Sequence, residues 1–139
     1  MITFILVLID QFIKYSITAH YTVGATSVII PKTLSLTYVE NEGAAFSLFS
    51  GNITLIIAVS IILLFVLYKY ILVSEKYSSL RPLIFAGIVS NLIDRLFRGC
   101  VIDYLDFNIG GYNAPIFNLA DIFIVVGSII FILKAVEEK

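Results

Sequence analysis

Residues 90–107 read SNLIDRLFRGCVIDYLDF and end a strongly apolar segment that begins near Leu83. The stretch places acidic and basic side chains in that apolar setting. The charged residues are Asp94, Arg95, Arg98, Asp103 and Asp106. Charged side chains are costly inside a membrane, and those that are kept there commonly serve a function. This stretch therefore indicates both where a helix meets polar surroundings and where chemistry is expected.

The composition is that of an integral membrane protein. Of the 139 residues, 60% are hydrophobic and only 14% are charged, whereas soluble domains are about 45–50% apolar and about 25% charged. The mean hydropathy is +1.03, and a soluble core of this size could not hide so much apolar surface. A net charge of −1 gives no attraction for nucleic acid. One cysteine and one histidine exclude an internal disulfide and a histidine-based metal site within one chain.

Four apolar stretches are long enough to cross a bilayer as helices, which takes roughly 20 residues each. They are residues 2–18, 53–72, 80–97 and 117–136. We therefore predict a single integral-membrane domain over residues 1–139, a membrane all-α fold with four transmembrane helices and a small β element. The first and third stretches also contain ionisable side chains, including Asp10, Lys14 and Asp94.

Basic residues near the ends of these stretches predict the orientation of the chain. They are Lys69, Lys76, Arg81, Lys134 and Lys139. All lie beside the connection between the second and third stretches or near the C-terminus, and such residues are enriched on the cytoplasmic side. Both termini are therefore predicted to be cytoplasmic, and the connections 19–52 and 98–116 are predicted to face outside.

The long outer connection carries a strand pattern. Leu34, Leu36 and Tyr38 recur at every second position, which is typical of a strand with one apolar face. We predict a small antiparallel sheet over about residues 22–50, lying against the outer face of the membrane. Gly43 opens a Gly-Ala-Ala run at 43–45 that would let another backbone or a ligand approach closely.

Three carboxylates converge on the outer boundary once this topology is applied. Asp94 lies near the outer end of the third stretch, Asp103 lies just beyond it, and Asp121 lies one turn into the fourth. Two close carboxylates in a poorly solvated site cannot both ionise easily, so one shared proton is retained. Such a pair can activate water while it protonates a carbonyl or a leaving amine, and this aspartic-protease chemistry needs no cofactor.

The third stretch has one polar face that could support such a pair. Asn91, Asp94, Arg95 and Arg98 follow the spacing i, i+3, i+4, i+7, which places them on one side of a helix. Arg95 stays charged at any working pH. We therefore expect it to orient a backbone carbonyl or a carboxylate rather than to exchange protons.

Other interpretations fit the same residues. The carboxylates could bind Mg²⁺, which prefers oxygen ligands, in a lipid phosphotransferase, or relay protons or ions in a non-enzymatic transporter. Asn118 and Asp121 also fit a plain helix N-cap with an acidic first turn. Asp10 and Lys14, spaced i, i+4, fit a neutralising pair near an interface. The charges expected to be solvated at the rim are Arg98 and Asp106.

Five short motifs, in order along nearly the whole chain, resemble those of the lipoprotein signal peptidases, also called signal peptidase II. The family's Asp-x-x-x-Lys is matched by DQFIK at 10–14, and its Asn-x-Gly-Ala-Ala-Phe/Trp by NEGAAF at 41–46. Its Asn-x-x-Asp-Arg is matched by NLIDR at 91–95, its Val-x-Asp-Phe/Tyr by VIDY at 101–104, and its Phe-Asn-x-Ala-Asp by FNLAD at 117–121. One such motif would be a weak signal, whereas five in order are a specific one.

The resemblance implies a bacterial inner-membrane aspartyl endopeptidase that removes signal peptides from diacylglyceryl-modified prolipoproteins, cutting before the lipidated cysteine. It implies that Asp103 and Asp121 are catalytic and that Asp10 and Lys14 form a structural pair. The expected supporting and substrate-binding residues are Asn41, Gly43, Asn91, Asp94, Arg95 and Asn118. The resemblance implies neither metal nor cofactor, and it implies inhibition by globomycin-type cyclic peptides. We further expect membrane lipid as the surroundings, no nucleic-acid partner and a monomer.

The run before Asn91 departs from the family pattern. That run is glycine-rich in the family, whereas here it reads AGIVS at 86–90. Because small residues permit close approach of helices, the larger side chains predict looser packing of the third helix.

Overall fold

The computed structural model of the protein describes residues 1–43, 52–72 and 81–136. Within these residues the chain forms four helices, α1 (Ile2–His20), α2 (Ile53–Leu72), α3 (Arg81–Arg98) and α4 (Leu119–Val136). It also forms four strands, β1 (Thr26–Ile30), β2 (Leu34–Asn41), β3 (Val101–Ile109) and β4 (Tyr112–Asn113). The predicted combination of four helices with a small antiparallel sheet is confirmed. Residues 44–50 of the predicted sheet segment lie outside the described residues, as do Lys76 and Lys139.

The helices coincide with the four apolar stretches and leave large apolar side chains exposed. Phe12 of α1 is 71% exposed and Phe65 of α2 is 68% exposed. Contiguous apolar surface of this kind is unusual on a soluble monomer and fits contact with lipid. By length and composition alone, α1 is the one helix in the described part of the chain that could cross a membrane, and the apolar helical stretch Ile53–Lys69 is shorter.

The central helix is α3, which packs against α1, α2 and α4. Its residues Ile84 and Ile88 form a buried apolar cluster with partly buried neighbours. Gly87 lies directly against α4, because a methyl group at this position would clash with the carbonyl oxygen of Ala120. The predicted looser packing is therefore wrong at this point. One glycine is sufficient for close approach even though its neighbours in the AGIVS run are larger.

Gly87→Ala is expected to destabilise the protein by about 1–3 kcal/mol, as overpacking of a well-packed contact does. The added methyl group would meet a backbone carbonyl, which can move only if α4 moves. Gly127→Ala is the comparison variant and is expected to be the less destabilising of the two, since its methyl group would meet a side-chain atom, Cγ1 of the buried Ile84, at 2.5 Å and the backbone N of Ile84 only at 3.5 Å. Both substitutions gain about 1 kcal/mol of helix propensity. Thermal unfolding in detergent compares them, and equal midpoints would contradict the prediction.

The sheet is antiparallel, with strand order β1-β2-β3-β4. Leu36 lies opposite Leu105 and Asn41 lies opposite Val101, with a shift of register between Leu36 and Val39. One face of the sheet packs on Ile17 of α1 through a buried cluster. The sheet is therefore larger than the one predicted over about residues 22–50, because the outer connection after α3 supplies β3 and β4.

Candidate active site

Asp103 and Asp121 come from different elements but share a partner. Asp103 lies on β3 and is 3% exposed, and Asp121 lies in the first turn of α4. The Nδ2 group of Asn118 donates to Oδ1 of Asp103 at 2.7 Å, and its backbone N–H donates to Oδ2 of Asp121 at 3.2 Å. One residue thus contacts both carboxylates and holds them in one site.

The N-terminus of α4 explains how Asn118 makes these contacts. Its Oδ1 accepts the N–H of Asp121 at 3.0 Å, while the carboxylate of Asp121 accepts the N–H of Asn118 in return. This reciprocal arrangement is a capping box in which Asp replaces the usual Glu or Gln. The cap uses only the Oδ1 atom of the amide, so the Nδ2 group is left to donate to Asp103. Asn118 therefore caps α4 and holds the site together at the same time.

Each carboxylate oxygen of the pair accepts a hydrogen bond from an asparagine. Asn41, at the end of β2, donates from Nδ2 to Oδ2 of Asp103 at 2.9 Å. Asn91, on α3, donates from Nδ2 to Oδ1 of Asp121 at 2.8 Å. Because these amides are neutral, they fix the orientation of the carboxylates without supplying a counter-charge. The pair can therefore keep a proton.

The pKa of Asp103 is raised from 3.8 to about 6, chiefly because burial disfavours the charged carboxylate. The negative charge of Asp121 acts in the same direction. The hydrogen bonds from Asn41 and Asn118 and the positive charge of Lys14 lower the pKa and oppose the rise. A carboxyl group with this pKa exchanges its proton close to neutral pH, which is the range that acid–base catalysis requires.

A buried ion network lies beside the pair. Lys14 Nζ lies 2.9 Å from Oδ2 of Asp10 and 2.7 Å from Oδ2 of Asp94, and all three side chains are 0% exposed. The same ammonium group donates to Oδ1 of Asn91 at 2.8 Å, so the network reaches Asp121 through one amide. The i, i+4 pair of Asp10 and Lys14 forms as predicted, and it is buried because α3 covers it with Asp94 and Asn91.

Arg95 and Gly43 meet beside the site. Arg95 Nη2 donates to the carbonyl oxygen of Gly43 at 3.2 Å, and the N–H of Gly43 donates to Oδ1 of Asn41 at 3.0 Å. In the described part of the chain, Nε of Arg95 is buried and has no hydrogen-bond partner. The residues that follow Gly43 in the NEGAAF motif lie outside the described residues.

A family model described as signal peptidase (SPase) II matches residues 2–137 of the chain. The chain belongs to the signal peptidase II family. It is therefore a protease. Lipoprotein signal peptidases of Staphylococcus aureus strains JH9 and Newman are each 34% identical to it over 142 aligned positions, which cover 99% of this chain and 87% of each relative.

Solved structures extend this family relationship to the fold. Two structures described as a bacterial membrane enzyme, determined by the in meso method at 2.3 and 1.9 Å resolution, match with TM-scores of 0.90 and 0.87 and 34% identity. The matches cover 99% of this chain and 86% and 92% of those chains. They support a membrane location for this signal peptidase II. The comparisons give no support to a phosphotransferase or a transporter.

Two uncharged residues of this signal peptidase II belong to the buried network and were not predicted. Ser90 Oγ donates to Oδ2 of Asp10 at 2.5 Å, and Gln11 Nε2 donates to Oγ of Ser90 and Oδ1 of Asp94 at 3.0 Å each. The N–H of Ala120 donates to Oδ1 of Asp10 at 3.0 Å, which joins the start of α4 to α1. The sequence feature that could have identified them is a polar residue inside an apolar stretch. Gln11 lies inside DQFIK, and Ser90 directly precedes NLIDR.

The two predicted rim charges also have specific partners. Nη1 of Arg98 bonds to Oδ1 of Asp94, and its side chain is only 29% exposed. Asp106 accepts a hydrogen bond from Oγ1 of Thr37 at 2.7 Å, between β3 and β2. Both residues remain partly exposed, as expected of rim charges, but simple solvation is incomplete as a description, because each is also held by a side chain of the network or of the sheet.

Proposed function

We propose that the protein is a membrane aspartyl endopeptidase that removes the signal peptide from diacylglyceryl-modified prolipoproteins, cutting before the lipidated cysteine. The observation that carries the proposal is the pairing of Asp103 with Asp121 through Asn118. Family membership supports the substrate class, and the pair supplies the acid and base that peptide hydrolysis needs. No cofactor is required by this chemistry.

The proposed reaction uses one ionised and one protonated carboxylate. The ionised carboxylate takes a proton from water as the water oxygen attacks the scissile carbonyl carbon. The protonated carboxylate donates its proton to the carbonyl oxygen, which gives a neutral tetrahedral intermediate. Collapse of the intermediate returns that proton to the pair, and the first proton passes to the leaving nitrogen. The pair then again holds one proton and can begin another cycle.

The polar residues around the pair have supporting roles in this proposal. Asn41, Asn91 and Asn118 orient the carboxylates through the hydrogen bonds described above. Arg95 already donates to one backbone carbonyl, that of Gly43. We propose that Arg95 binds the extended backbone of the substrate and holds it in position for attack. The Gly43 backbone marks the adjoining edge of the site.

The membrane placement is part of the proposal. We infer that α1 to α4 all cross the bacterial cytoplasmic membrane, with both termini cytoplasmic and the sheet and Asp103 at the outer face. The basic residues at the ends of the apolar stretches and the exposed apolar side chains of the helices support this arrangement. A signal peptide whose apolar part lies in the bilayer would then present its cleavage site at the level of the pair. Because one chain supplies the pair and the asparagines that hold it, we propose that the monomer is active.

Cleavage of a diacylglyceryl-modified prolipoprotein by the purified protein in detergent tests the function. We expect cleavage before the modified cysteine, little cleavage of the same protein without the lipid, and inhibition by globomycin. EDTA is expected to leave the rate unchanged, whereas it would abolish a Mg²⁺-dependent activity. Equal cleavage of lipidated and unlipidated substrate would contradict the substrate class, and dependence of cleavage on added Mg²⁺ would contradict the mechanism.

The pH dependence of cleavage gives a separate prediction. The raised pKa of Asp103 keeps a proton in the pair up to about pH 6, and on the alkaline side activity falls when that proton is lost. The value of kcat/KM reports the free enzyme, so its alkaline limb is expected at pH 6 or above. A substrate without titratable groups, assayed at constant ionic strength, measures this limb. A limb near pH 4, where an ordinary aspartate titrates, would contradict the prediction.

A further inference from the structure

Arg98 stands apart from the proposed catalytic residues, since it lies at the last position of α3 and does not contact the pair. Its Nη1 bonds to Oδ1 of Asp94 and donates to Oε1 of Gln11 at 3.0 Å. Gln11 Nε2 donates to the same Oδ1 of Asp94 at 3.0 Å. Arg98, Asp94 and Gln11 therefore form a closed ring of contacts between α3 and α1.

The formal charges of the buried network are balanced only when Arg98 is included. Asp10 and Asp94 carry two negative charges, and Lys14 carries one positive charge, all at 0% exposure. The guanidinium of Arg98 supplies the second positive charge from a side chain that is 29% exposed. An uncompensated charge in a buried site is costly. Arg98 thus completes an ion chain with a buried and a partly exposed end.

A continuous path of contacts leads from Arg98 to the pair. Asp94 bonds to Lys14 through Oδ2, the oxygen that Arg98 does not bind. Lys14 donates to Oδ1 of Asn91, and Asn91 donates to Asp121. Oδ1 of Asn91 also accepts from Asn118, which bonds to Asp103. The ionised state of Asp94 therefore helps to fix the amide of Asn91, which lies between the network and both aspartates.

We propose that Arg98 is a positioning residue for the aspartate pair, acting through Asp94, Lys14 and Asn91. This inference rests on the proposed peptidase mechanism. Arg98 keeps the buried network neutral, so that Lys14 and Asn91 retain the contacts that orient Asp121. Without this cation, the network carries one net negative charge near the pair. Ionisation of the pair then becomes less favourable, and both limbs of the pH–rate profile move to higher pH.

Other charged groups face the same network and do not replace Arg98. On α3, Arg95 lies near Asp94, Asp103 and Asp121 but makes its hydrogen bond to Gly43. On the sheet side, Tyr38 and Cys100 lie within electrostatic reach of Arg98, and burial raises the pKa of both, to about 12 for Tyr38. Both groups therefore stay neutral in the working range. The carboxylates of Glu40 and Glu42 are also near Cys100. They are negative and cannot compensate the network.

The test compares Arg98→Gln, Arg98→Lys and Lys32→Gln in purified peptidase with a diacylglyceryl-modified prolipoprotein. We expect Arg98→Gln to shift both limbs of kcat/KM upward by about half a pH unit or more, because a unit charge acts over several ångströms in a partly desolvated region. This shift corresponds to a loss of about threefold or more on the acidic limb. Arg98→Lys keeps the positive charge and is expected to retain the limbs of the wild type. Lys32→Gln removes a cation at the turn between β1 and β2, away from the network, and is expected to leave them unchanged.

The test separates failure of the proposal for Arg98 from failure of the proposed peptidase function. An unchanged pH profile in Arg98→Gln overturns the proposal, as does an equal shift in Arg98→Lys or in Lys32→Gln. A general loss of folding would lower the rate at all pH values without moving the limbs, and this result would also overturn the positioning role. If the wild type cuts but Asp103→Asn and Asp121→Asn cut equally well, the proposed mechanism fails first.

Discussion

Asp103→Asn and Asp121→Asn are each expected to lower the cleavage rate by at least about 10³-fold, because general acid–base catalysis by a positioned group contributes about 10²–10⁴-fold and each aspartate serves both proton-transfer steps. Asparagine keeps the size of the side chain but can neither take a proton from water nor donate one to the carbonyl. Initial rates with a diacylglyceryl-modified prolipoprotein measure the loss. The double variant is expected to be little worse than either single variant, because residues that act as one unit are strongly non-additive.

Asp106→Asn is the matched control for this experiment. Asp106 lies on the same strand as Asp103 and bonds to Thr37 rather than to the asparagines of the site. Its substitution is expected to change the rate by less than about threefold, because the loss of its hydrogen bond to Thr37 costs folding stability, about 0.5–1.5 kcal/mol, and removes no group that transfers a proton. Wild-type rates in either aspartate variant of the pair, with folding verified, would refute the mechanism.

Lys14→Met is expected to destabilise the fold by about 3–5 kcal/mol, the usual effect of removing one partner of a buried ion pair. Methionine has a similar length, so the effect comes from charge rather than from a cavity. Asp10 and Asp94 would remain in a site where both are 0% exposed, without the ammonium that contacts each of them. Thermal unfolding in detergent measures the loss, and cleavage should fall with it because Asn91 keeps the hydrogen bond from Asn118 but loses the one from Lys14.

Two further variants isolate the charge effect at Lys14. Lys69→Met removes an exposed lysine near the end of α2 and is expected to change the midpoint little. The double variant Lys14→Met with Asp10→Asn removes one charge of each sign, so it should be more stable than Lys14→Met alone. A double variant that is no more stable than Lys14→Met would contradict the assignment of the loss to an uncompensated carboxylate.

The helices and strand β2 could be predicted from the sequence because their patterns are local. Four apolar stretches predict four helices, and the alternation of Leu34, Leu36 and Tyr38 predicts β2. Strand β3 was missed for a physical reason. Its first residues, from Val101 to Tyr104, are buried on both faces of the strand, so the sequence shows no alternation of apolar and polar positions. The strand also follows a charged helix end, which resembles the start of a solvated connection.

The proximity of Asp103 and Asp121 could be predicted from the topology, whereas the hydrogen bonds of the site could not. Asp103 and Asp121 were expected at one boundary because the ends of two neighbouring helices meet there. The contact between Lys14 and Asn91 joins residues 77 positions apart, and the contact between Asp10 and the N–H of Ala120 joins residues 110 positions apart. Such contacts depend on helix rotation and side-chain rotamers. Spacing within one helix carries no information about either.

The reciprocal cap of α4 restricts which residue can stand at position 118. A helix can begin at Ser, Thr, Asp or Asn with similar effect. Among these residues, only asparagine carries an acceptor and an NH₂ donor on separate atoms. Asn118 uses the acceptor to begin α4 and the donor to hold Asp103 and Asn91. Residues that are interchangeable as helix caps elsewhere are therefore not interchangeable here. Asp at position 118 would preserve the start of α4, but it would lose the hydrogen bond that holds the carboxylate of Asp103.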